Sequence, residues 1–98
     1  MSAASGPVEH DETVTVRYWA GARAAAGTAE DTFGVDVGLT LADLVAKVLE
    51  RHPGDKMART VAVCSVLVGD QPVRSQDPAS VPVPPGSVIE LLPPFAGG

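Results

Sequence analysis

The chain has 98 residues, 45% of them hydrophobic, which suits one soluble globular domain and leaves no room for a second core. Seven basic against twelve acidic residues give a formal net charge of -5, and no segment concentrates lysine and arginine, so binding to nucleic acid or to an anionic membrane is disfavoured. The single cysteine, Cys64, rules out an internal disulfide and implies no oxidising compartment. We therefore expect a cytoplasmic protein that is steered toward basic surfaces of protein partners.

The N-terminal segment, residues 1–12, is small, polar and acidic, which predicts a disordered leader. It has neither the basic start nor the apolar run of a signal peptide, and no apolar stretch approaches the length of a transmembrane helix. The composition predicts one ordered domain over residues 13–92, followed by a flexible tail over residues 93–98.

Three elements are predicted at the start of the domain. Residues 13–19 alternate as in a half-buried strand, and one face carries the apolar positions Val14, Val16 and Tyr18. The alanine-rich run at residues 20–26 favours one or two helical turns that end at Gly27. Residues 29–37 predict a second strand that returns antiparallel to the first.

The clearest helix is predicted after this hairpin. The Thr40 hydroxyl can cap the amides of its first turn, and Asp43 is placed favourably beside the helix dipole. An apolar stripe follows at offsets of three, four, seven and eight residues, formed by Leu41, Leu44, Val45, Val48 and Leu49. Pro53-Gly54 ends the helix.

Two more strands are predicted in the second half of the chain. Residues 61–68 are strongly apolar and rich in valine, which favours a central strand buried on both faces. Residues 71–87 hold five prolines and are predicted to be mostly loop. Residues 88–92 predict the last strand, which ends at Pro93-Pro94 because proline cannot donate a ladder hydrogen bond.

The predicted order is thus two strands, a long helix and two further strands. Two strands on each side of one helix cannot form repeated βαβ units. One mixed sheet packed on one main helix is the economical arrangement, and it leaves the first and last strands free to pair in the middle. The predicted fold class is α+β.

The tail at residues 93–98 carries the most distinctive chemistry. Fully extended, it reaches about 20 Å, and its two prolines stiffen the base. Phe95 offers an apolar anchor, whereas Gly97 and Gly98 can thread a channel too narrow for any side chain. The group delivered is the carboxylate of Gly98, which becomes an acyl donor only after activation by ATP. The chain has no glycine-rich phosphate loop, so a partner would have to supply that activation.

Other chemistry-bearing residues favour structural roles. Cys64 lies in an apolar run, where burial would suppress the reactivity of its thiol. Neither His10 nor His52 has a second ligand at the spacing of a metal site, so no metal is expected. Trp19 lies opposite the apolar face of its strand, where it either meets a partner or packs against residues 20–26. No carboxylate pair or Ser/His/Asp set suggests independent catalysis.

Three segments together carry a family resemblance. They are VTVRYWAGARAAAG (residues 14–27), TLADLVAKVLERHP (residues 40–53) and PPGSVIELLPPFAGG (residues 84–98). The last is the most specific, with a turn, a strand, a proline pair and an apolar residue before Gly-Gly. The chain resembles the ubiquitin-like β-grasp sulfur carriers of the MoaD/ThiS family over residues 13–98. Its short helix after the first strand is typical of the molybdopterin branch, whereas the leader of about twelve residues departs from the family pattern.

The resemblance implies a role for each residue of the tail. An ATP-dependent activating enzyme would adenylate Gly98, and a sulfurtransferase would help convert it to a thiocarboxylate. Phe95, Ala96 and Gly97 would bind the partners beside the exposed face of the sheet. In a heterotetramer with the large subunit of molybdopterin synthase, the sulfur would pass to precursor Z. The chain would then be the sulfur-donating subunit of a transferase and no enzyme on its own, with no bound cofactor and with ATP used by the activating partner.

Three alternatives remain open at this point. The thiocarboxylate could serve another pathway, of the cysteine or thiamine type. The chain could instead be a ubiquitin-like modifier that forms isopeptide bonds through Gly98. Finally, it could be a plain interaction domain with an inert tail, in which case deletion of Gly97 and Gly98 would leave its activity intact.

Overall fold

The computed structural model describes residues 12–35 and 38–94. The strands are β1 (Thr13–Tyr18), β2 (Glu30–Gly34), β3 (Ser65–Val68), β4 (Gln71–Pro72) and β5 (Val88–Leu92). The helices are α1 (Ala20–Ala26), α2 (Leu41–Arg51) and α3 (Asp55–Val63), and a single 3-10 turn spans Pro78–Ser80. The predicted leader lies outside the described residues apart from its last position.

The strands form one mixed sheet in the order β2-β1-β5-β3-β4. The N-terminal strand β1 and the C-terminal strand β5 pair at its middle, as predicted. They run parallel, and the other neighbouring pairs are antiparallel. The helices cover one face of this sheet, and the prediction of an α+β fold with a mixed sheet is confirmed. The element order therefore keeps the predicted ββαββ pattern, to which α1, α3 and the two-residue strand β4 are added.

The first three elements match the sequence pattern closely. The predicted apolar face of β1 is buried, with Val14 and Val16 at 0% exposure and Tyr18 at 2%. Helix α1 ends at Gly27, which adopts a φ of 77° that costs glycine little because it has no Cβ. Strand β2 pairs antiparallel with β1, from Gly34 opposite Thr13 onward, and is shorter than predicted.

Helix α2 begins with a complete capping box. The Asp43 amide donates to the Thr40 hydroxyl at 3.2 Å, and the Thr40 amide donates back to the Asp43 carboxylate at 3.1 Å. These bonds satisfy two amides that would otherwise lack partners, and they lower the pKa of Asp43. Of the predicted stripe, Leu41, Leu44 and Val48 are buried, and Val45 and Leu49 are partly buried against the same core.

The prediction of a central strand over residues 61–68 is wrong. Residues 61–63 are the last turn of α3, which the sequence reading missed, and only Ser65–Val68 form strand β3. That strand lies between β5 and β4, and its residues are exposed or partly buried rather than enclosed on both faces.

Tertiary packing explains why a helix forms there. Met57 and Val61, one turn apart, are both buried, and α3 packs against α1 and α2. The β-branched valines favour a strand in isolation, but helix propensities differ by less than about 1 kcal/mol per residue and are overridden by such burial. Gly54, with a φ of 121°, provides the turn that lets α3 follow α2 almost directly.

Candidate functional site

The predicted tail residues Phe95, Ala96, Gly97 and Gly98 lie outside the described residues. The structure does describe the base from which they continue, up to Pro94. Leu91 is buried, Leu92 and Pro93 are half-buried, and Pro94 is exposed. The chain therefore passes from the hydrophobic core to the surface within four residues.

The base of the tail lies at the carboxyl end of the central strand. Because β1 and β5 are parallel, their carboxyl ends meet at the same edge of the sheet. The Trp19 amide, just after β1, donates to the Leu91 carbonyl at 3.2 Å. On the other side, Ser65 at the start of β3 pairs with Leu92. The last residues of β5 are thus held by hydrogen bonds on both sides, and the tail continues from a rigid support.

Trp19 belongs to a polar cluster on the sheet face that the helices leave open. Its indole N–H donates to the Glu90 carboxylate at 2.9 Å, and the Arg17 guanidinium carbon lies 5.1 Å from its ring centre. Trp19 remains 38% exposed. Exposed Val88 lies on the same face, at the end of β5 away from the tail base. The open face thus offers an aromatic ring, an aliphatic side chain and opposite charges for contact.

A cleft lies along β3, on the side of the tail base that faces away from β1. We call it the β3 cleft. It has a volume of about 300 Å³ and is lined by Cys64, Ser65, Val66, Leu67, Pro72 and Arg74. A second cleft of similar volume adjoins it on the helix side and shares Cys64, Val66 and Arg74. Both clefts lie next to the strand pair that holds the tail base, because Ser65 pairs with Leu92.

Cys64 follows α3 and lies outside the strand in which it was predicted. Its thiol donates to the Thr60 carbonyl at 3.2 Å, and burial raises its pKa. A thiol with a raised pKa is mostly protonated at neutral pH and therefore a poor nucleophile. The structural role predicted for Cys64 agrees with this environment.

A second polar cluster was not predicted from the sequence. Asp31 on β2 accepts a hydrogen bond from the Tyr18 hydroxyl at 2.9 Å, and its carboxylate lies 2.5 Å from His52 Nε2 and 3.5 Å from Arg51. Burial alone would raise the pKa of Asp31, but the hydrogen bonds from His52 and Tyr18 and the charges of His52 and Arg51 together hold it below the usual range. Burial, and then the hydrogen bond to Asp31, raises the pKa of Tyr18.

This cluster joins the end of α2 to the β1–β2 hairpin. The rings of Tyr18 and His52 meet edge to face at 5.6 Å, and the Arg51 guanidinium stacks over Phe33 at 4.0 Å. Arg51 also donates to the Thr32 carbonyl at 3.1 Å. Because these groups satisfy one another across three elements, we assign the cluster a structural role. The members of the cluster are 13 to 21 positions apart in the sequence, so no local pattern could have predicted the cluster.

The described residues form neither a metal-ligand cluster nor a membrane-spanning helix. In the described part of the chain, no three His, Cys, Asp or Glu side chains come together as metal ligands. Among residues 12–35 and 38–94, no helix combines the length and apolar character needed to cross a bilayer.

The class of protein follows from this arrangement. A mixed sheet with parallel terminal strands at its centre and helices on one face is a ubiquitin-like β-grasp fold, here with a glycine pair beyond the central strand. The model of the ThiS family matches residues 16–98. The chain belongs to the ThiS family.

Individual relatives agree with the family assignment. A molybdopterin synthase sulfur carrier subunit from Chlamydomonas reinhardtii is 31% identical over 86 residues, which cover 87% of this chain and 98% of the relative.

Two solved structures share the fold. The small archaeal modifier protein 1 of Haloferax volcanii aligns with a TM-score of 0.70 at 17% identity, over 86% of this chain and 99% of its own. The complex of subunits 1 and 2 of the molybdopterin-converting factor from Helicobacter pylori contains a chain that aligns with a TM-score of 0.60 at 24% identity, over 88% and 99% of the two chains.

Proposed function

We propose that the chain is the sulfur carrier subunit of a molybdopterin synthase and carries sulfur as a thiocarboxylate on Gly98. The observation that carries the proposal is the 31% identity to a molybdopterin synthase sulfur carrier subunit over 98% of that protein's length. The position of the tail supports it, because Gly97 and Gly98 follow a proline pair at the end of the central strand.

The chemistry requires two steps at Gly98, both on a partner enzyme. A carboxylate oxygen attacks the α-phosphate of ATP, which forms an acyl-adenylate and releases pyrophosphate. The terminal sulfur of a persulfide on a sulfurtransferase then attacks the acyl carbon and displaces AMP, and a thiol reductant cleaves the S–S bond of the resulting acyl disulfide, which leaves one sulfur on Gly98. The product is a thiocarboxylate in which one oxygen of Gly98 has been replaced by sulfur.

The role of this chain is to present the reactive group. Neither Gly97 nor Gly98 has a side chain, so the tip can enter a narrow active site, and Pro93-Pro94 keeps it extended. Phe95 and Ala96 would contact the partner near the entrance. The open sheet face, with Trp19 beside the tail base, would dock against the large subunit, in which the sulfur passes to precursor Z.

A second candidate function has its own observation. The fold is also that of a small archaeal modifier protein, which leaves open a ubiquitin-like modifier joined to lysines through Gly98. Both functions begin with an adenylated C-terminus, and they differ in the group that attacks it. An amine would give an isopeptide, whereas a sulfur donor would give a thiocarboxylate for molybdopterin or another sulfur pathway.

Intact-mass spectrometry tests the proposal. The protein would be incubated with ATP, a sulfur source and a cell extract that supplies the activating enzyme, alongside a known carrier as a positive control. We expect a mass gain that matches replacement of one oxygen by sulfur, and no gain after deletion of Gly98. Adding the large subunit and precursor Z should then return the mass to that of the carboxylate.

A matched glycine variant separates the tail from general effects. Gly98→Ala should block the mass gain, because a methyl group at the tip does not fit a channel shaped for glycine. Gly21→Ala should behave like the wild type, since a Cβ at Gly21 meets no atom within 4 Å. If the wild-type protein gains no mass while the positive control does, the sulfur carrier function is refuted. Attachment to lysines of other proteins would establish the modifier function.

A further inference from the structure

A carboxylate lies at the centre of the open sheet face. Ile89 and Leu91 are buried in the core, so Glu90 between them lies on the face that the helices leave open. Its Cα is opposite Arg17 on β1 and Leu67 on β3. Because β5 is the middle strand of the five, Glu90 has two further strands on either side. A partner that covers the open face therefore covers this carboxylate.

Several neighbours of Glu90 on this face are apolar. Leu67 is its cross-strand partner, and Val88 and Leu92 lie two positions away on the same strand. The Trp19 indole contacts the carboxylate directly. Val88 and Trp19 are each 38% exposed. Covering these groups is favourable because it removes apolar surface from water, but it also takes the charge of Glu90 out of water.

The Glu90 carboxylate is only partly satisfied within the chain. One oxygen, Oε1, accepts the indole N–H of Trp19 at 2.9 Å. The other oxygen, Oε2, accepts no hydrogen bond from the described residues and is open to solvent. An ionised carboxylate has about four acceptor sites, so most of those on Glu90 depend on water in the free protein.

The cation opposite Glu90 on β1 is directed elsewhere. The Arg17 Nε atom lies 3.9 Å from the Glu30 carboxylate, and the guanidinium carbon lies 5.1 Å from the centre of the Trp19 ring. Within residues 12–35 and 38–94, no basic side chain forms an ion pair with Glu90. The described chain therefore leaves the charge of Glu90 to solvent.

Glu90 lies inside the area that a partner of the tail would cover. Pro94, at the base of the tail, is four positions further along the chain, a span of at most about 14 Å. A standard interface covers about 800 Å² of each partner, which corresponds to a patch about 16 Å in radius. A partner that receives the tail and lies on the open face thus buries Glu90. Because an unpaired buried charge is strongly unfavourable, that partner has to provide the missing donors.

We propose that the large subunit places a basic side chain against Glu90, with the Trp19 ring beside the pair. This inference rests on the proposed function, in which the open face docks against that subunit. An arginine fits the site best, because its planar guanidinium pairs with a carboxylate and stacks on an aromatic ring. The net charge of -5 favours the same chemistry, since it steers the chain toward basic surfaces.

Glu90→Gln gives opposite results with and without a partner cation. The variant keeps an oxygen that can accept the Trp19 indole hydrogen, but it loses the charge. With a cation opposite, it should bind the large subunit about 10- to 100-fold more weakly than the wild type, and its affinity should depend less on salt. Without a cation, the neutral amide is easier to bury, so the variant should bind as tightly or more tightly. Titration calorimetry at low and high salt measures both quantities.

Glu30→Gln is the matched control. Glu30 is also a glutamate opposite Arg17, but it lies on the outer strand β2 and its side chain is 56% exposed. We expect this variant to change the affinity by less than about three-fold. Trp19 is the single tryptophan of the chain, so its fluorescence reports on the indole. The emission spectrum of free Glu90→Gln should match that of the wild type.

Arg17→Gln tests whether the cation is internal. If this variant loses as much affinity as Glu90→Gln, and the double variant loses no more, Arg17 itself pairs with Glu90 in the complex and the inference is wrong. Unchanged or tighter binding by Glu90→Gln also overturns it, as does a loss with the salt dependence of the wild type, even where the thiocarboxylate forms normally. A wild-type protein that does not bind the large subunit refutes the proposed function, and this inference with it.

Discussion

Asp31 is the residue on which the polar cluster at the end of α2 depends. Two hydrogen bonds and the nearby Arg51 charge converge on a carboxylate that is only 16% exposed. Hydrogen bonds to charged groups contribute about 1.5–3 kcal/mol each, so Asp31→Asn should lower the free energy of unfolding by about 1–3 kcal/mol near pH 7. Urea denaturation measures this difference. Asp70→Asn, at an exposed turn, is the control and should change stability little.

The same residue predicts an acid dependence of stability. The pKa of Asp31 is lower in the folded protein than the usual value near 3.9 that it has when unfolded. Its ionised form therefore stabilises the fold above about pH 4, and the stabilisation is lost as the pH falls through the folded-state value. The difference between wild type and Asp31→Asn should shrink between about pH 5 and pH 2. A difference that stays constant over this range would show that the charge of Asp31 contributes nothing.

Leu44 tests the orientation of α2 in the core. Its side chain is 1% exposed, and truncating a buried leucine removes transfer free energy and leaves a cavity. Leu44→Ala should lower the free energy of unfolding by about 2–5 kcal/mol. Glu50→Ala on the exposed side of the same helix should cost less than about 0.5 kcal/mol. Similar costs for the two variants, measured in urea, would contradict the burial of the apolar stripe.

At the scale of the element, α2 depends on its capping box. Thr40→Ala leaves the Asp43 amide without its side-chain acceptor and should destabilise the protein by about 0.5–2 kcal/mol in thermal or urea unfolding. Thr40→Ser keeps the hydroxyl and should remain close to the wild type. If the serine variant loses as much stability as the alanine variant, the methyl group of Thr40 matters more than its hydrogen bond.

The outer strands of the sheet show how the elements limit edge pairing. Strand β4 has only two residues, one of which is Pro72 and cannot donate a ladder hydrogen bond. At the other edge, Arg51 from α2 donates a hydrogen bond to the Thr32 carbonyl on β2, so this acceptor is not available to a further strand. Both edges thus carry features that discourage pairing with another sheet.

At the scale of the whole molecule, the buried core of the described residues ends before the tail. The buried hydrophobic side chains of the described residues run from Val14 to Leu91, and none lies beyond Leu91. Deleting Gly97 and Gly98 should therefore change the melting temperature by less than about 3 °C, as expected when few buried contacts are lost. Differential scanning calorimetry would measure this. A much larger drop would mean that the tail contributes to the stability of the core.

Periodicity was enough to predict most of the fold. Three signals are local: the alternation over β1, the stripe and cap of α2, and the apolar run of β5 that is ended by prolines. Each depends on residues within one or two turns or along one strand. They were sufficient for the α+β class and for the central pairing of β1 with β5. The motif at residues 84–98 indicated the family, although the tail residues lie outside the described part of the structure.

Other features depended on tertiary structure alone. The valines at residues 61–63 became helical because Met57 and Val61 are buried on one side of α3, an effect that intrinsic β-propensity does not contain. Ser65 and Leu92 become neighbours only through the pairing of β3 with β5, and Asp31 meets His52 only when α2 packs on the hairpin. Sequence by itself thus determined the elements with a local period and the chemistry of the tail, whereas contacts between residues far apart in the chain were decided by packing.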